Sequence, residues 1–392
     1  MPETPDVSVT RSAGRRLVRA ARWRLKRARA AAAVRLAPDS FLPQMAAARI
    51  PVDAEVAVYY ADSPDRVYQL DQWLPVFERL ARTHQVVVIL RDIRTMKDLQ
   101  DRTTLPVVCV TTFLDLMNLY DAGEFKVGIY VNNGQRNFQS LNNPRMLHVH
   151  VNHGESDKLS SFSNQVKAYD RVFVAGPVAV ERYKEALIDF DGSKVVAVGR
   201  PQLDLDFTPE LAESSRRTVM YGPTWEGESE SNNWTSLDLF GVQIVTALLA
   251  LPDVRVVYKP HPRVAASAHP GVARAHRKIM SLVQAANGRD PSAGHVARTD
   301  GNILAMFGRC DALVGDVSSV TLDFLYLRPE APIFLTDRRD DRLRTRKHYF
   351  GDLGPGDSSR RFEEAMAALI QERDHLLTGH KRVTTGDVDA HD

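Results

Sequence analysis

Three stretches of this 392-residue chain carry side chains with more chemistry than packing purpose, and each stands where an apolar run ends. The first is Val151-Asn152-His153-Gly154-Glu155-Ser156-Asp157-Lys158, after the run Met146–Val151. His153 lies past the run and before a glycine, where an imidazole that titrates near neutrality can touch a ligand and move a proton. His148 and His150 share one face of the run. With no third ligand nearby, they suit core or supporting roles better than a metal site. The second stretch is Lys259-Pro260-His261-Pro262-Arg263. Three cationic or donor side chains, stiffened by two prolines, would neutralise a pyrophosphate. The third, Asp316-Val317-Ser318-Ser319, opens the helical pattern Val320–Leu327. Free backbone N–H groups and two hydroxyls at a helix start make either a phosphate cradle or an ordinary cap with no ligand.

Positioning these groups requires strands that end on one edge. Ala54–Tyr60, Val86–Leu90, Val107–Val110, Lys126–Val131, Met146–Val151, Arg171–Val174 and Val195–Val198 read as strands, with helical stretches such as Val67–Arg82 between them. Pro75 either fits that helix or breaks it. After a linker at Leu203–Ser215 the pattern resumes. Strands are expected at Thr218–Tyr221, Val254–Tyr258, Ala312–Val314 and Ala331–Leu335, with helices at Ser236–Leu251 and Val320–Leu327. Short strands alternating with helices imply parallel, doubly wound α/β sheets, which place ligands at the strands' carboxyl ends. Neither GxGxxG after the first strand nor GxxxxGK[ST] occurs, so dinucleotide-binding and P-loop chemistry are not expected.

Apolar residues make up 44% of the chain and charged residues 26%, the balance of a folded soluble protein. Cys109 and Cys310 stand apart without a CxxC partner, which fits a reducing cytoplasm and no thiolate metal site. No run is long enough to span a membrane, and no secretory signal is expected. The net charge of +2 hides an asymmetry. Residues 1–50 hold eleven Lys/Arg against three acids, while the rest of the chain is mildly acidic. Within 11–35, Val18, Ala21, Leu25, Ala28 and Ala32 form a narrow stripe beside Arg15, Arg19, Arg22, Lys26 and Arg29. A cationic amphipathic helix of this kind suits an anionic membrane surface; a solvated arm is the plainer alternative. Nucleic acid is not expected, since the body shows no basic groove interleaved with aromatics.

Four motifs occur in a set order. They are HGxxxK at His153-Gly154 to Lys158, YxPTW at Tyr221-Gly222-Pro223-Thr224-Trp225, KPHP at Lys259–Pro262, and DxSSVxxDFLxLxxPxIF from Asp316 to Phe334. In this, the sequence resembles the CDP-glycerol glycerophosphotransferases, the teichoic acid primases and polymerases, over roughly residues 50–350. The resemblance implies two Rossmann-like domains in a glycosyltransferase-B-like arrangement. The expected organisation is a basic arm at 1–50, an acceptor domain at 51–210, a CDP-donor domain at 211–380 and a disordered tail at 381–392. It implies glycerol phosphate, or a related polyol phosphate, moving from a CDP-alcohol to a membrane-linked cell-envelope acceptor, with CMP leaving. By analogy His153 is the general base, and His261 with Arg263 contacts the donor pyrophosphate. Lys259, Thr224, Asp316, Ser318 and Ser319 then belong to the donor phosphates, and Gly154 and Lys158 to the acceptor side. No cofactor or metal is implied, although a divalent cation such as Mg stays open; Asp204-Leu205-Asp206 matches a DxD pair by chance. The implied location is the inner face of the cell membrane. Glu155 and Asp157 depart from the family pattern, either changing the acceptor or raising the pKa of His153; the polar loop Glu226–Trp234 departs too. Two alternatives remain: a nucleotide-sugar glycosyltransferase of the same fold, and a non-catalytic relative that binds nucleotide or polymer.

Overall fold

The computed structural model describes residues 54–336, 338 and 356–385, all within one compact unit, Val52–Asp392. The expected basic helix at 11–35 lies outside the described residues. Seven strands build the first sheet: β1 (Val56–Tyr60), β2 (Val86–Leu90), β3 (Val107–Cys109), β4 (Val127–Tyr130), β5 (Leu147–His150), β6 (Arg171–Val174) and β7 (Val195–Ala197). Their order is β3-β2-β1-β4-β5-β6-β7, with every pairing parallel. The second sheet holds β8 (Arg217–Gly222), β9 (Val254–Tyr258), β10 (Val296–Ala297), β11 (Ala312–Asp316) and β12 (Ile333–Thr336). It is also all parallel, in the order β10-β9-β8-β11-β12. β1 and β2 are unbroken runs of aliphatic and aromatic residues buried at every position, as central strands covered on both faces must be. The protein is therefore an α/β molecule of two Rossmann-like parallel sheets, glycosyltransferase-B-like in plan.

Helices depart from expectation where local chemistry interrupts them. Val67–Arg82 divides into Tyr68–Asp71 and Leu74–Leu80. Pro75 sits in the first turn of the second helix, where a missing N–H costs nothing. Ser236–Leu251 opens with a π-helical turn, Leu237–Gly241, before the α-helix Val242–Leu249. The 20-residue helix Pro270–Arg289 was not expected. Its stripe of Val272, Ala275, Ile279, Val283 and Ala286 is thin and diluted by Arg and His. Among the described residues, no helix is long and apolar enough to cross a membrane.

The expected domain boundary at 211–380 needs correction. The helix Asp357–Thr385 sends Phe362, Met366, Leu369 and Ile370 into the core that β1, β2 and β4 build, not into the second sheet. Those four residues follow the i, i+4, i+7, i+8 spacing of one helical face. Asp204, the acid of the chance DxD match, explains how the helix is held. It accepts from the Gly356 and Ser359 backbone N–H groups at 3.2 and 2.6 Å, so it caps the helix start. The helix also runs through residues 381–385, which were expected to be tail.

Candidate active site

A cavity of about 710 Å³ opens where the carboxyl ends of the two sheets face each other. The exits of β1, β4 and β5 line one wall, and those of β8, β9 and β11 the other. In both sheets the strand order reverses at the central pair, β1/β4 and β8/β11, and crevices form at such switch points. His153, Gly154, Lys158, Thr224, Lys259, His261, Arg263, Ser318 and Ser319 all line it. Residues up to 166 positions apart in the chain are thus brought together.

His153 is fixed through its backbone. Asn152 adopts φ +52°, a left-handed conformation that asparagine tolerates. Its side chain accepts from His153 N at 2.9 Å, and its carbonyl accepts from Trp73 Nε1 at 2.6 Å. The His153 carbonyl accepts from Arg200 Nη1 at 3.1 Å, while Arg200 Nη2 binds Asp323 Oδ2 at 2.8 Å in a buried ion pair. The half-buried ring keeps Nδ1 without a hydrogen-bond partner among the described residues. Burial pushes its pKa down to about 4; the Arg200 charge adds to this, and the Val131 carbonyl opposes it. The expected upward tuning by the neighbouring acids is overturned. Glu155 turns inward to accept from Ala175 N at 2.8 Å, and Asp157 pairs with Arg182 at 2.6 Å.

At Gly154 a loop of the first sheet packs against the start of a helix of the second. A Cβ there would stand 2.8 Å from Ser319 Oγ and 2.9 Å from Ser319 Cβ, so only glycine fits without movement. Ser319 begins the helix Ser319–Leu327, and Ser318, the residue before it, is 7% exposed with a hydroxyl that has no partner among the described residues. A buried hydroxyl unspent at a helix start is available to a ligand oxygen.

Asp316 belongs to the scaffold rather than to the cavity. Wholly buried, its carboxylate accepts from Thr224 N at 2.7 Å, Ser236 N at 3.2 Å and the Thr336 hydroxyl. Burial raises its pKa, and these donors counteract the shift. The expectation that it binds donor phosphate is corrected: a carboxylate saturated by three donors, away from the cavity lining, ties the exits of β8 and β12 to β11. Thr224, which it holds, accepts from Lys158 Nζ at 2.7 Å.

The cations are the site's unsettled charges. Lys259 is 3% exposed and, among the described residues, donates to the Thr299 carbonyl at 3.0 Å. Burial, then the Arg298 charge, lowers its pKa to about 8. Burial alone lowers Lys158 to about 8 against the pull of Asp316. Among the described residues neither lysine has a carboxylate within ion-pair distance. His261 donates its backbone N–H to the Pro223 carbonyl at 3.0 Å and accepts from Arg263 N at Nδ1, at 3.2 Å. That second bond leaves the ring proton on Nε2, a neutral donor. Burial and the charges of Lys158, His153, Arg263 and Lys259 hold its pKa far below the usual range. Tyr68 stands edge-on to both histidines, with ring centroids 5.1 Å from His261 and 6.0 Å from His153.

Residues 142–384 match the CDP-glycerol:poly(glycerophosphate) glycerophosphotransferases. The chain belongs to that family. It is a CDP-glycerol glycerophosphotransferase-like transferase, and the match, expected over 50–350, starts later and runs further along the chain. It matches none of the curated proteins. Solved structures similar to it include the wall teichoic acid polymerase TagF soaked with CDPG, at 15% identity and TM-score 0.43, covering 83% of this chain and 84% of that one. S. aureus MnaA with UDP is similar at 10% identity and TM-score 0.46, covering 81% and 88%. A Rickettsia africae glycosyltransferase is similar at 12% identity and TM-score 0.44, covering 86% and 100%.

Several residues that shape this glycerophosphotransferase-family site were not foreseen. Arg263 lies 3.7 Å over the Trp225 ring, with Nη1 3.5 Å from Glu228 Oε1. Arg66, from the first sheet's side, reaches the same oxygen at 2.8 Å. Glu228 lies on the polar loop Glu226–Trp234, which turns at Gly227 (φ +76°) with Asn232 O 2.7 Å from where a Cβ would be. Arg66, Tyr68, Trp73 and Arg200 belong to helical or loop stretches without a motif, and Asp323, which lies inside the motif Asp316–Phe334, was given no role there; packing brings them here. His148 is a core residue, bonded to the Tyr130 hydroxyl at 2.8 Å and the Asn143 carbonyl at 2.9 Å. His150 is wholly buried against Tyr169, with both ring nitrogens unpartnered. Among the described residues no group of three or more His, Cys, Asp or Glu could hold a metal ion.

Proposed function

We propose that this transferase moves glycerol phosphate, or a related polyol phosphate, from a CDP-alcohol to a hydroxyl of a membrane-linked cell-envelope acceptor, at the cytoplasmic face of the membrane. The observation that carries the reading is the opposition across Tyr68 of His153 Nδ1, which has no partner among the described residues, and a cluster of donors in which Lys158 and Lys259 have no carboxylate within ion-pair distance among the described residues. Lys158, expected on the acceptor side but bonded to Thr224 across the cavity, joins Lys259, Arg263, the Nε2–H of His261 and the Ser318 hydroxyl as donors for a pyrophosphate. The acceptor oxygen attacks the β-phosphorus, its proton passes to His153 Nδ1, and the bond to the bridging oxygen breaks with its electron pair leaving on CMP. Positioning and charge neutralisation dominate such a transfer.

His153 is neutral at pH 7, as a base must be, but a pKa of about 4 makes it weak in the empty site. The donor corrects this. One added negative charge about 4 Å away is worth roughly 4 kcal/mol at an effective dielectric of 20. That equals about three pH units in favour of the imidazolium. Residues 11–35, read as a cationic amphipathic helix, would hold the enzyme on the anionic surface where a lipid-linked acceptor lies.

The test is CMP release from CDP-glycerol with a membrane lipid extract as acceptor, UDP-sugars in parallel, and His153→Ala beside the wild type. Transfer is expected to fall on the order of 100-fold or more in the variant, with CDP-glycerol affinity retained. Turnover of a UDP-sugar in preference to CDP-glycerol would replace this reading with sugar transfer. A variant as fast as wild type would remove His153 as the base.

A further inference from the structure

The wall formed by the exits of β1 and β4 carries a polar network that the donor chemistry does not use. Asn132 Nδ2 donates to Asp62 Oδ2 at 2.8 Å and to Gln69 Oε1 at 2.7 Å. Its own Oδ1 accepts from Gly134 N at 3.1 Å, and its carbonyl accepts from the buried Asn137 side chain at 2.6 Å. Asn132 is therefore a post, itself 8% exposed, that sets one carboxylate and one amide at the cavity. The neighbouring Asn133 also lines the cavity, with a buried Oδ1 that has no partner among the described residues. An amide oxygen taken from water without a bond costs roughly 1–3 kcal/mol, which a ligand hydroxyl would recover.

The charges on this wall differ from those opposite. Its arginines are already ion-paired: Arg66 with Glu228 at 2.8 Å, and Arg102 with Asp71 at 2.9 Å and Asp98 at 2.8 Å. Asp62 has no ion-pair partner among the described residues. The Asp62 carboxylate and the Asn133 amide oxygen disfavour phosphate, and together with the Gln69 amide they suit hydroxyl groups. The network is also placed for the reaction. Tyr130 pairs with His150 across β4 and β5, so Asn132 and Asn152 leave adjacent strands at the same level, about 5 Å apart in strand spacing. Gln69 follows Tyr68, whose ring contacts His153.

We propose that Asp62, Gln69 and Asn133, held by Asn132, form the acceptor subsite and take a neutral polyol or sugar end group through its vicinal hydroxyls. This rests on the reading that the acceptor approaches His153 from the first sheet's side. The Asp62 carboxylate accepts from one hydroxyl and orients its neighbour toward His153. These residues precede the segment that matches the family, 142–384.

The experiment is saturation-transfer NMR on the full chain with erythritol as the vicinal polyol and n-butanol as the single-hydroxyl control. Asp62→Ala and Gln69→Ala are compared with wild type, alongside thermal melting and CDP-glycerol affinity. Wild type is expected to bind erythritol and not butanol. Each substitution should weaken erythritol on the order of tenfold, the loss of a charged or buried hydrogen bond, while leaving CDP-glycerol affinity unchanged. Gln69→Ala, which leaves the Asn132–Asp62 bond in place, keeps the test valid if Asp62→Ala melts early. No erythritol binding by wild type, binding indifferent to both substitutions, or equal loss of erythritol and CDP-glycerol would overturn the subsite. The measurement needs no turnover, so its failure is separate from absent CMP release, which bears on the function itself.

Discussion

Replacing Asp323 by alanine leaves the Arg200 guanidinium buried with no counter-charge. The two side chains are 6% and 9% exposed, and Arg200 Nε already lacks a partner, so solvent cannot compensate. Breaking a buried pair from one side costs about 3–5 kcal/mol, against a total stability on the order of 10 kcal/mol. The double variant Arg200→Met/Asp323→Leu removes both charges and should recover stability to within about 1–2 kcal/mol of wild type. It should not recover activity, because the His153 carbonyl has lost the donor that held it at 3.1 Å. A misplacement of about 1 Å at a reacting group costs roughly 100-fold. Losing the Arg200 charge, one of the forces that depresses His153, also raises the imidazole pKa. A general base works only when unprotonated, so the acid limb of kcat/KM should move to higher pH in the double variant. Urea unfolding and initial rates of CMP release across pH measure all three effects. A double variant with wild-type rate and acid limb would show that Arg200 does not position His153. An Asp323→Ala cost below about 1 kcal/mol would refute the energetic argument.

Two further predictions follow from the cavity's geometry and charge. Gly154→Ala puts a methyl 2.8 Å from Ser319 Oγ, so the Ser318–Ser319 helix start must shift, and kcat/KM should fall about 10- to 100-fold. Gly154→Ala/Ser319→Gly removes both clashing atoms and should recover most of that loss; no recovery would mean that the close approach is not the cause. Lys158 and Lys259, with pKa values near 8, are charged below that pH and lose charge above it. CDP-glycerol affinity, measured by calorimetry, should therefore weaken between pH 7 and pH 9, and Lys158→Arg should flatten the decline. Equal wild-type affinity at both pH values would exclude these lysines from the donor site.

Much of the site was legible because its residues stand at strand exits, and strands announce themselves locally. β2, β6 and β9 occupy the expected residues, since runs such as Val86–Leu90 leave few other ways to bury them. The Lys259, His261 and Arg263 trio was readable for a similar reason: three donors between two prolines have no apolar face to offer a core. The polymerase-like motifs then gave an order to stretches that are each short. The helix Asp357–Thr385 was missed although its face of Phe362, Met366, Leu369 and Ile370 is regular, because nothing local says which sheet it covers.

Side-chain type and spacing determined by themselves that parallel strands end in a histidine-glycine turn, a cationic turn and a serine-rich helix start. Tertiary structure alone decided which of those groups remain free to act. Asp316 and Ser318 lie two residues apart, yet one carboxylate is saturated by Thr224, Ser236 and Thr336 while the hydroxyl beside it has no partner among the described residues. Glu155 and Asp157 stand next to His153 in the chain, but the charge that tunes it comes from Arg200, and loss of water on burial lowers its pKa more strongly still. Desolvation and through-space partners depend on segments packed from elsewhere in the chain: Arg200 stands 47 residues beyond His153 and 123 before Asp323, and the sequence local to His153 carries no record of either.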